Sequence, residues 1–225
     1  MKTTFGLLCI LLSLSITISG YAQKAKKVKS FGGIITYDIT YEGEGIDATT
    51  LAQLPSQLVV SINGNKIRNE QISPLYSMSS ISNFDDGSTI VLIDMMGMKI
   101  AVNQSKEEME KNLAEAGIKD PEIKILDETK VIAGYNCKKA EVTTGEDVVE
   151  VYFTDELIVP AGINDQNGFK GINGLLMQYT VNQQGMIMTM TVKEIKKAKV
   201  KSGMFVIPDD YEIKTAEELG GMLGG

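Results

Sequence analysis

The sequence has no histidine and no tryptophan, and only two of its 225 residues are cysteines. Without histidine the chain cannot form the Ser-His-Asp or Cys-His systems of nucleophilic catalysis, and it lacks the commonest zinc ligand. Basic residues are outnumbered by acidic ones, 22 to 29, which gives a net charge of −7. An acidic surface disfavours nucleic acid and anionic membranes as partners. We therefore predict a protein that is not an enzyme, and we assign it no catalytic residue, no metal ligand, no cofactor and no nucleic-acid partner.

The N-terminus has the three regions of a secretory signal peptide. Lys2 is the positive region, residues 5–18 are almost entirely apolar, and residues 20–22 form a small-x-small cleavage site. The apolar run of about 14 residues is shorter than the roughly 20 that a membrane-spanning helix needs. Cys9 lies too early in the run to carry a lipid anchor. We predict cleavage near Ala22-Gln23 and a periplasmic or secreted protein.

After cleavage Cys137 is the only cysteine, so no intramolecular disulfide can form. A lone thiol in an oxidising compartment is either buried or available for reaction. Lys139 shares its face of the predicted strand and could lower the pKa of the thiol, as in a redox site. We favour a buried structural thiol, because small apolar thiols pack well.

The remaining chain is patterned as one domain. Residues 23–30 predict a flexible basic tail, residues 31–215 a single β domain, and residues 216–225 a short helix with a glycine-rich end. Alternation of apolar and polar residues, as in Gly33–Glu42, marks half-buried antiparallel strands. Turn residues such as Asn63-Gly64 separate them. About ten or eleven such strands predict one antiparallel sheet curled toward a barrel.

Several elements can be assigned locally. Ser105 and Glu108 form a capping box that predicts a helix over residues 105–116, and Thr215 with Glu218 predicts a second one. The strand at Ser88–Asp94 is apolar on both faces, which predicts a central position. Other predicted elements are strands at residues 122–126, 129–144, 147–154 and 200–207, and a loop at residues 164–174.

The longest strand pair is predicted at residues 174–195, with its turn at residues 183–185. Because side chains on a strand alternate, each of its strands carries one apolar row. The first row is Leu175, Met177, Tyr179 and Val181, and the second is Met186, Met188, Met190 and Val192. From these rows we select the candidate ligand-cavity residues Met177, Tyr179, Met186, Met188, Met190 and Val192.

The twelve methionines leave three interpretations open. They can be plain core, or they can line a cavity, because methionine adapts to irregular apolar partners. The M-x-M spacing at residues 95–98 and 186–190 can also bind Cu(I), which prefers thioether ligands.

Other possible sites have simpler structural interpretations. The acidic pairs at residues 85–86, 107–108 and 209–210 fit hydrated turns or a helix start, and Gly171-x-x-Gly174 lacks the strand-loop-helix context of a phosphate loop.

Three segments carry a family resemblance. They are TKVIAGYNCKKA at residues 129–140, GINGLLMQY at residues 171–179, and FVIPDDY at residues 205–211. They resemble a secreted domain-of-unknown-function family of Bacteroidetes (DUF4412-like, or GLPGLI-like), although Asn173 replaces a proline of the second motif. These families look like relatives of the LolA-like periplasmic lipoprotein carriers.

The resemblance implies a mainly β fold: an antiparallel, strongly curved half-barrel, that is, a LolA-like unclosed β-barrel with a few covering helices. It also implies a non-enzymatic protein that binds a lipid or acyl chain in an apolar cavity. The alternatives are a docking module for an envelope protein without a small ligand and, third, a methionine-based metal-binding protein. Cavity volume separates the first two, because a ligand site needs several hundred Å³ of concave apolar space.

Overall fold

The computed structural model describes residues 30–115, 120–145, 147–160, 162–183 and 185–223. The predicted signal peptide, and the basic tail up to residue 29, lie outside the described residues. The strands are β1 Gly33–Glu42, β2 Gln57–Asn63, β3 Lys66–Ile72, β4 Tyr76–Asn83, β5 Ser88–Met95, β6 Met98–Gln104, β7 Glu122–Ile132, β8 Tyr135–Thr144, β9 Asp147–Thr154, β10 Leu175–Gln183, β11 Met186–Lys196 and β12 Glu212–Lys214. The helices are α1 Ala48–Leu51, α2 Lys106–Glu115, α3 Ile163–Gln166 and α4 Ala216–Leu223, with a 3₁₀ helix at Ser202–Phe205.

All these strands form one 12-stranded sheet in the order β12-β6-β5-β4-β3-β2-β1-β11-β10-β9-β8-β7. Neighbours are antiparallel, except that β12 runs parallel to β6. Among the described residues no pairing joins β12 to β7, so the curved sheet stays open. The predicted architecture, an unclosed half-barrel with few helices, is confirmed.

The main core lies where β1 brings the two halves of the sheet together. On β1 the side chains of Ile35, Tyr37 and Ile39 are buried while their neighbours are more exposed, as the period-two pattern predicts. β1 pairs with β2 on one side and with β11 on the other. Buried residues of β2, β3 and β7 to β11, of α3 and of the chain on either side of α3 belong to the same cluster.

A second, smaller cluster is covered by residues 197–211, which we call the strap. Its side chains Val200 and Phe205 are buried against Ile81, Leu92 and Ala101 of β4 to β6. The prediction of a strand at residues 200–207 is therefore wrong, since the strap contains a 3₁₀ helix there. Instead of a strand ladder, buried Val200 and Phe205 hold the strap, together with side-chain bonds from Asn63 to the Val200 carbonyl at 3.0 Å and from Arg68 to the Met204 carbonyl at 3.3 Å. The next strand is the three-residue β12.

Two local corrections concern turns. The predicted single strand at residues 129–144 is divided by a hairpin turn, in which Ala133 and Gly134 both have positive φ, 48° and 84°. Two consecutive residues with positive φ are the requirement of a type I′ hairpin. The predicted loop at residues 164–174 begins within the four-residue helix α3.

Both predicted capping boxes are present. The Ser105 amide donates to Glu108 at 2.8 Å, and the Glu108 amide donates to Ser105 Oγ at 3.2 Å. The same exchange joins Thr215 and Glu218 at 2.7 and 3.1 Å. These reciprocal bonds satisfy amides that a helix start leaves free, and they fix where α2 and α4 begin.

Candidate functional site

The inner face of the curved sheet forms a partly open cavity of about 510 Å³. Strands β1 to β5 and β10 to β11 supply its walls, and α3 contributes from one side. Most lining side chains are apolar, including Leu58, Val60 and Ile67 from β2 and β3 and Leu175 and Leu176 from β10. A concave apolar space of this size is typical of small-molecule sites.

Aromatic rings form one part of the wall. The rings of Tyr37 and Tyr179 meet edge to face with centroids 5.9 Å apart, and Phe169 meets Tyr179 in the same way at 5.5 Å. The Tyr37 hydroxyl donates to the Leu176 carbonyl at 2.8 Å. Burial raises the pKa of Tyr37 well above its usual value, and burial also raises that of Tyr179. Both phenols are therefore neutral at physiological pH.

Polar groups lie at two places on the wall. Asn69, Gln71 and Ser80 come from β3 and β4, and the Asn69 amide donates to Ser80 Oγ at 3.3 Å. Asn164 lies on α3, and its amide nitrogen donates to the carbonyls of Ile172 and Gly174 at 2.7 and 2.9 Å. These two bonds hold the loop between α3 and β10 against the cavity.

The structure brings only part of the predicted residue set to this cavity. Tyr179, Met188 and Met190 line it. Met177 and Val192 are buried in the main core, and half-buried Met186 lies at the turn end of β11. Whether any of them binds a ligand stays a prediction.

A β-bulge explains why Met177 does not line the cavity. The register between β9 and β10 shifts between Leu176 and Gln178, so Met177 is the extra residue. Leu176 and Tyr179 then both line the cavity, whereas strict alternation predicts Met177 beside Tyr179. No residue type in this stretch marks a bulge, and sequence reasoning therefore missed it.

Sequence reasoning also missed the wall formed by β3 to β5. The alternating row Ile67, Asn69 and Gln71 can be read as one strand face, and so can Met78 with Ser80. The pattern was present, but these rows become increasingly polar along the strand. Half-polar rows are typical of solvent-facing surface, and only the structure shows that Val91 completes a cavity wall above them.

The other predicted sites are resolved by their surroundings. Cys137 is fully buried and its thiol donates to the Tyr135 carbonyl at 3.3 Å, so the prediction of a buried thiol is confirmed. Burial raises the pKa of the thiol. Lys139 instead pairs with Glu128 and Glu150 at 3.2 and 2.8 Å. The acidic pairs at residues 85–86, 107–108 and 209–210 are exposed, as predicted.

The hypothesis of methionine-based copper binding stays a prediction. Met96 at the β5–β6 turn is 94% exposed, and only Met188 and Met190 of the M-x-M row on β11 reach the cavity. Among the described residues no group of three or more Cys, Asp or Glu side chains could hold a metal ion.

No helix within the described ranges is long and apolar enough to cross a membrane.

An open half-barrel domain with an internal apolar cavity is the class that fold and site define. The chain belongs to the family described as N-glycanase peptide, N-terminal domain, whose model matches residues 39–210. This is not the family that the three sequence segments resemble, and that finer resemblance stays a prediction. No similar sequence was found among curated proteins.

Two crystal forms of PNGF-II contain a domain of similar fold. The TM-scores are 0.51 and 0.50 at 17% identity, over 85% of this chain and 33% of that chain. The chain thus spans a third of the length of PNGF-II. The lipoprotein LppX of Mycobacterium tuberculosis has a TM-score of 0.33 at 12% identity, over 76% of this chain and 89% of that one. For LprF of Mycobacterium bovis the values are 0.34, 11%, 81% and 90%.

Proposed function

We propose that this chain is a non-enzymatic, periplasmic or secreted domain that binds a lipid or other apolar ligand inside its half-barrel. The observation that carries this proposal is the cavity of about 510 Å³ with a mainly apolar wall. Specific small-molecule sites have volumes of roughly 300–1,000 Å³ and similar linings.

The driving force is removal of apolar surface from water. An acyl chain contributes roughly 25 cal/mol for each Å² that it buries. Met78, Met188 and Met190 supply unbranched, polarisable side chains on the wall, which adapt to chains of different shape. The site therefore suits a flexible apolar chain better than a rigid polar ligand.

Native mass spectrometry of the mature chain, residues 23–225, tests the proposal. We expect an additional lipid-sized mass that organic solvent extracts. Val91→Trp should strongly reduce it, because Val91 lines the cavity and the larger indole would project into the space that a ligand occupies. Val148→Trp is the matched control, since Val148 is exposed on β9 and does not line the cavity. A wild-type chain that stays free of bound mass after incubation with envelope lipids would contradict ligand binding.

A docking domain without a small ligand is the second candidate. PNGF-II favours it, because there a domain of this fold occupies a third of a longer chain. In that case this chain would pack against another envelope protein through its sheet. Val91→Trp separates the two candidates, since narrowing the cavity should leave docking on an outer surface intact while it strongly reduces ligand binding.

The family name raises N-glycanase chemistry as a direct question. We expect the isolated chain to release no N-glycan from a denatured glycoprotein, because its sequence offers no histidine and the cavity wall includes no acidic side chain among the described residues. Glycan release measured by mass spectrometry, and lost in Val91→Trp, would overturn the non-enzymatic proposal.

A further inference from the structure

One tyrosine of the cavity wall has an unused hydrogen-bonding group. Tyr179 is only 5% exposed and lines the cavity. The Tyr179 hydroxyl makes no hydrogen bond within the described residues. In contrast, every described side-chain oxygen or nitrogen that is fully buried has a hydrogen-bond partner. The Tyr179 hydroxyl must therefore reach open space, and the space that its residue lines is the cavity. Tyr37, its ring neighbour, differs because its hydroxyl already donates to Leu176.

Asn164 supplies a second unused group of opposite character. The residue is 6% exposed and lies between the same cavity and a second pocket of about 420 Å³, lining both. Its amide nitrogen donates to two backbone carbonyls, of Ile172 and Gly174, and this fixes the orientation of the amide. The amide oxygen is consequently the free end, and among the described residues it has no hydrogen-bond donor. Tyr179 and Asn164 thus add a free hydroxyl and a free acceptor to the wall, beside the amides of Asn69, Gln71 and Asn167.

Charge is absent from the same wall. Of the described residues that line the cavity, none is Lys, Arg, Asp or Glu. A carboxylate or phosphate bound there would lose its hydration without gaining a counter-ion, which is costly in an apolar site. A pure hydrocarbon would leave both the Tyr179 hydroxyl and the Asn164 oxygen unpaired, which is also unfavourable.

We propose that the cavity selects a neutral amphiphile, an apolar chain that carries a hydroxyl or amide group. Such a group accepts a hydrogen bond from Tyr179 and donates one to Asn164, whereas an ionised carboxylate can only accept. This inference rests on the proposed apolar-ligand function and names the class of ligand for that site.

Competition binding tests the selectivity on the full mature chain. The reporter is diphenylhexatriene, a fluorescent hydrocarbon without hydrogen-bonding groups, and the competitors are decanol, decanamide, decanoate and decane. At about pH 8, where decanoate is ionised, we expect decanol and decanamide to displace the reporter at lower concentrations than decanoate or decane. Tyr179→Phe should weaken decanol and decanamide by roughly 2- to 10-fold, the effect of one neutral hydrogen bond, and leave decane unchanged.

Tyr152→Phe is the matched control. It removes a tyrosine hydroxyl that bonds Glu128 outside the cavity, and it should leave all four competitors unchanged. A thermal melt of Tyr179→Phe verifies that the fold is intact, because this change removes a hydroxyl with no protein partner. Asn164 is a poorer test, since its replacement also releases the loop carbonyls.

The outcomes separate the inference from the function beneath it. Equal displacement by decanol and decanoate, or an unchanged decanol affinity in Tyr179→Phe, overturns the neutral-amphiphile inference while apolar binding stands. Failure of the reporter and of all four competitors to bind overturns the proposed function and the inference together.

Discussion

The two faces of β3 to β5 carry similar alternating rows but are covered in different ways. Ser80 and Val91 face each other on the cavity side, while Ile81 and Leu92 belong to the small cluster under the strap. On the strap side Phe205 fills the space, and on the cavity side nothing from the described chain does so. The alternation of residue types along a strand therefore predicts which side chains are buried. It does not predict whether protein or a ligand covers them.

The polar groups differ between the faces as well. On the strap side Arg68 bonds Glu70 at 2.6 Å, Ser79 at 2.9 Å and the Met204 carbonyl at 3.3 Å. These donors and acceptors are used within the protein. On the cavity side the Tyr179 hydroxyl is unused. The face covered by the strap thus pairs these polar groups within the protein, whereas the cavity side leaves the Tyr179 hydroxyl without a partner among the described residues.

The largest expected effect is at the closed face. Phe205→Ala removes the ring that covers β4 to β6 and should lower the free energy of unfolding by about 3–5 kcal/mol, because an aromatic side chain leaves a large void. Urea denaturation followed by circular dichroism measures this loss. A change below about 1 kcal/mol would mean that the strap does not seal a packed core, and the contrast between the faces would fail.

Tyr37→Phe should have the next largest effect. It leaves the Leu176 carbonyl without its buried donor and should cost about 1–3 kcal/mol at neutral pH. Burial raises the pKa of Tyr37, so the unfolded chain loses this proton first as pH rises. Wild-type stability should therefore fall above about pH 10, by up to roughly 1.4 kcal/mol per pH unit for this group.

The Tyr37→Phe variant lacks that contribution, and its deficit should narrow at high pH. Urea denaturation of both proteins at about pH 7.5 and about pH 11 measures the narrowing. A deficit that stays constant across this range would indicate that the Tyr37 phenol is not held neutral by the fold.

A smaller effect is expected for Met188→Ala. Met188 is half-buried on the cavity wall, so truncation enlarges an existing space and should cost less than about 1 kcal/mol. The fraction of the protein that carries a bound ligand, measured by native mass spectrometry, should also change. Met177→Ala is the matched comparison, because fully buried Met177 should cost about 2–5 kcal/mol. Equal losses at the two positions would mean that Met188 is ordinary packed core.

The smallest expected effect is the reaction of the native Cys137 thiol with a labelling reagent. This reaction tests whether the core beside the cavity is closed to solvent. Its thiol is fully buried and its raised pKa reduces the reactive thiolate fraction. A maleimide reagent should label the native chain at a negligible rate and the urea-unfolded chain quickly, as followed by mass spectrometry. Fast native labelling would show that this core opens.

Much of the fold could be predicted because its signals are local. The alternation at Ile35, Tyr37 and Ile39, the turn at Asn63-Gly64 and the Ser105 capping box each act within a few residues. Together they predict an antiparallel sheet curled toward a barrel and the start of α2, whereas the family resemblance implies that the barrel stays unclosed. Their shared property is that the sequence itself contains both partners of the interaction.

The errors arise where the deciding partner is distant. Residues 200–207 have the apolar content of a strand, but Val200 and Phe205 are buried against the face of β4 to β6 and the chain there forms a 3₁₀ helix. Met177 becomes a bulge through its register with β9. The volume of the cavity depends on the distance between its walls, and the local alternation of residue types does not encode that distance. Of the candidate residues, only Tyr179, Met188 and Met190 line the cavity.

The strap also imposes an order on how the protein acquires its native state. Strand β12 pairs with β6, and Phe205 covers side chains that precede it by about a hundred positions in the sequence. Loop closure over such distances is slow compared with hairpin formation. The antiparallel hairpins can therefore assemble while the chain is still emerging, but β6 stays an open edge until residue 214 has been made. Closure of this sheet edge is therefore expected to be a late step in the folding of the domain.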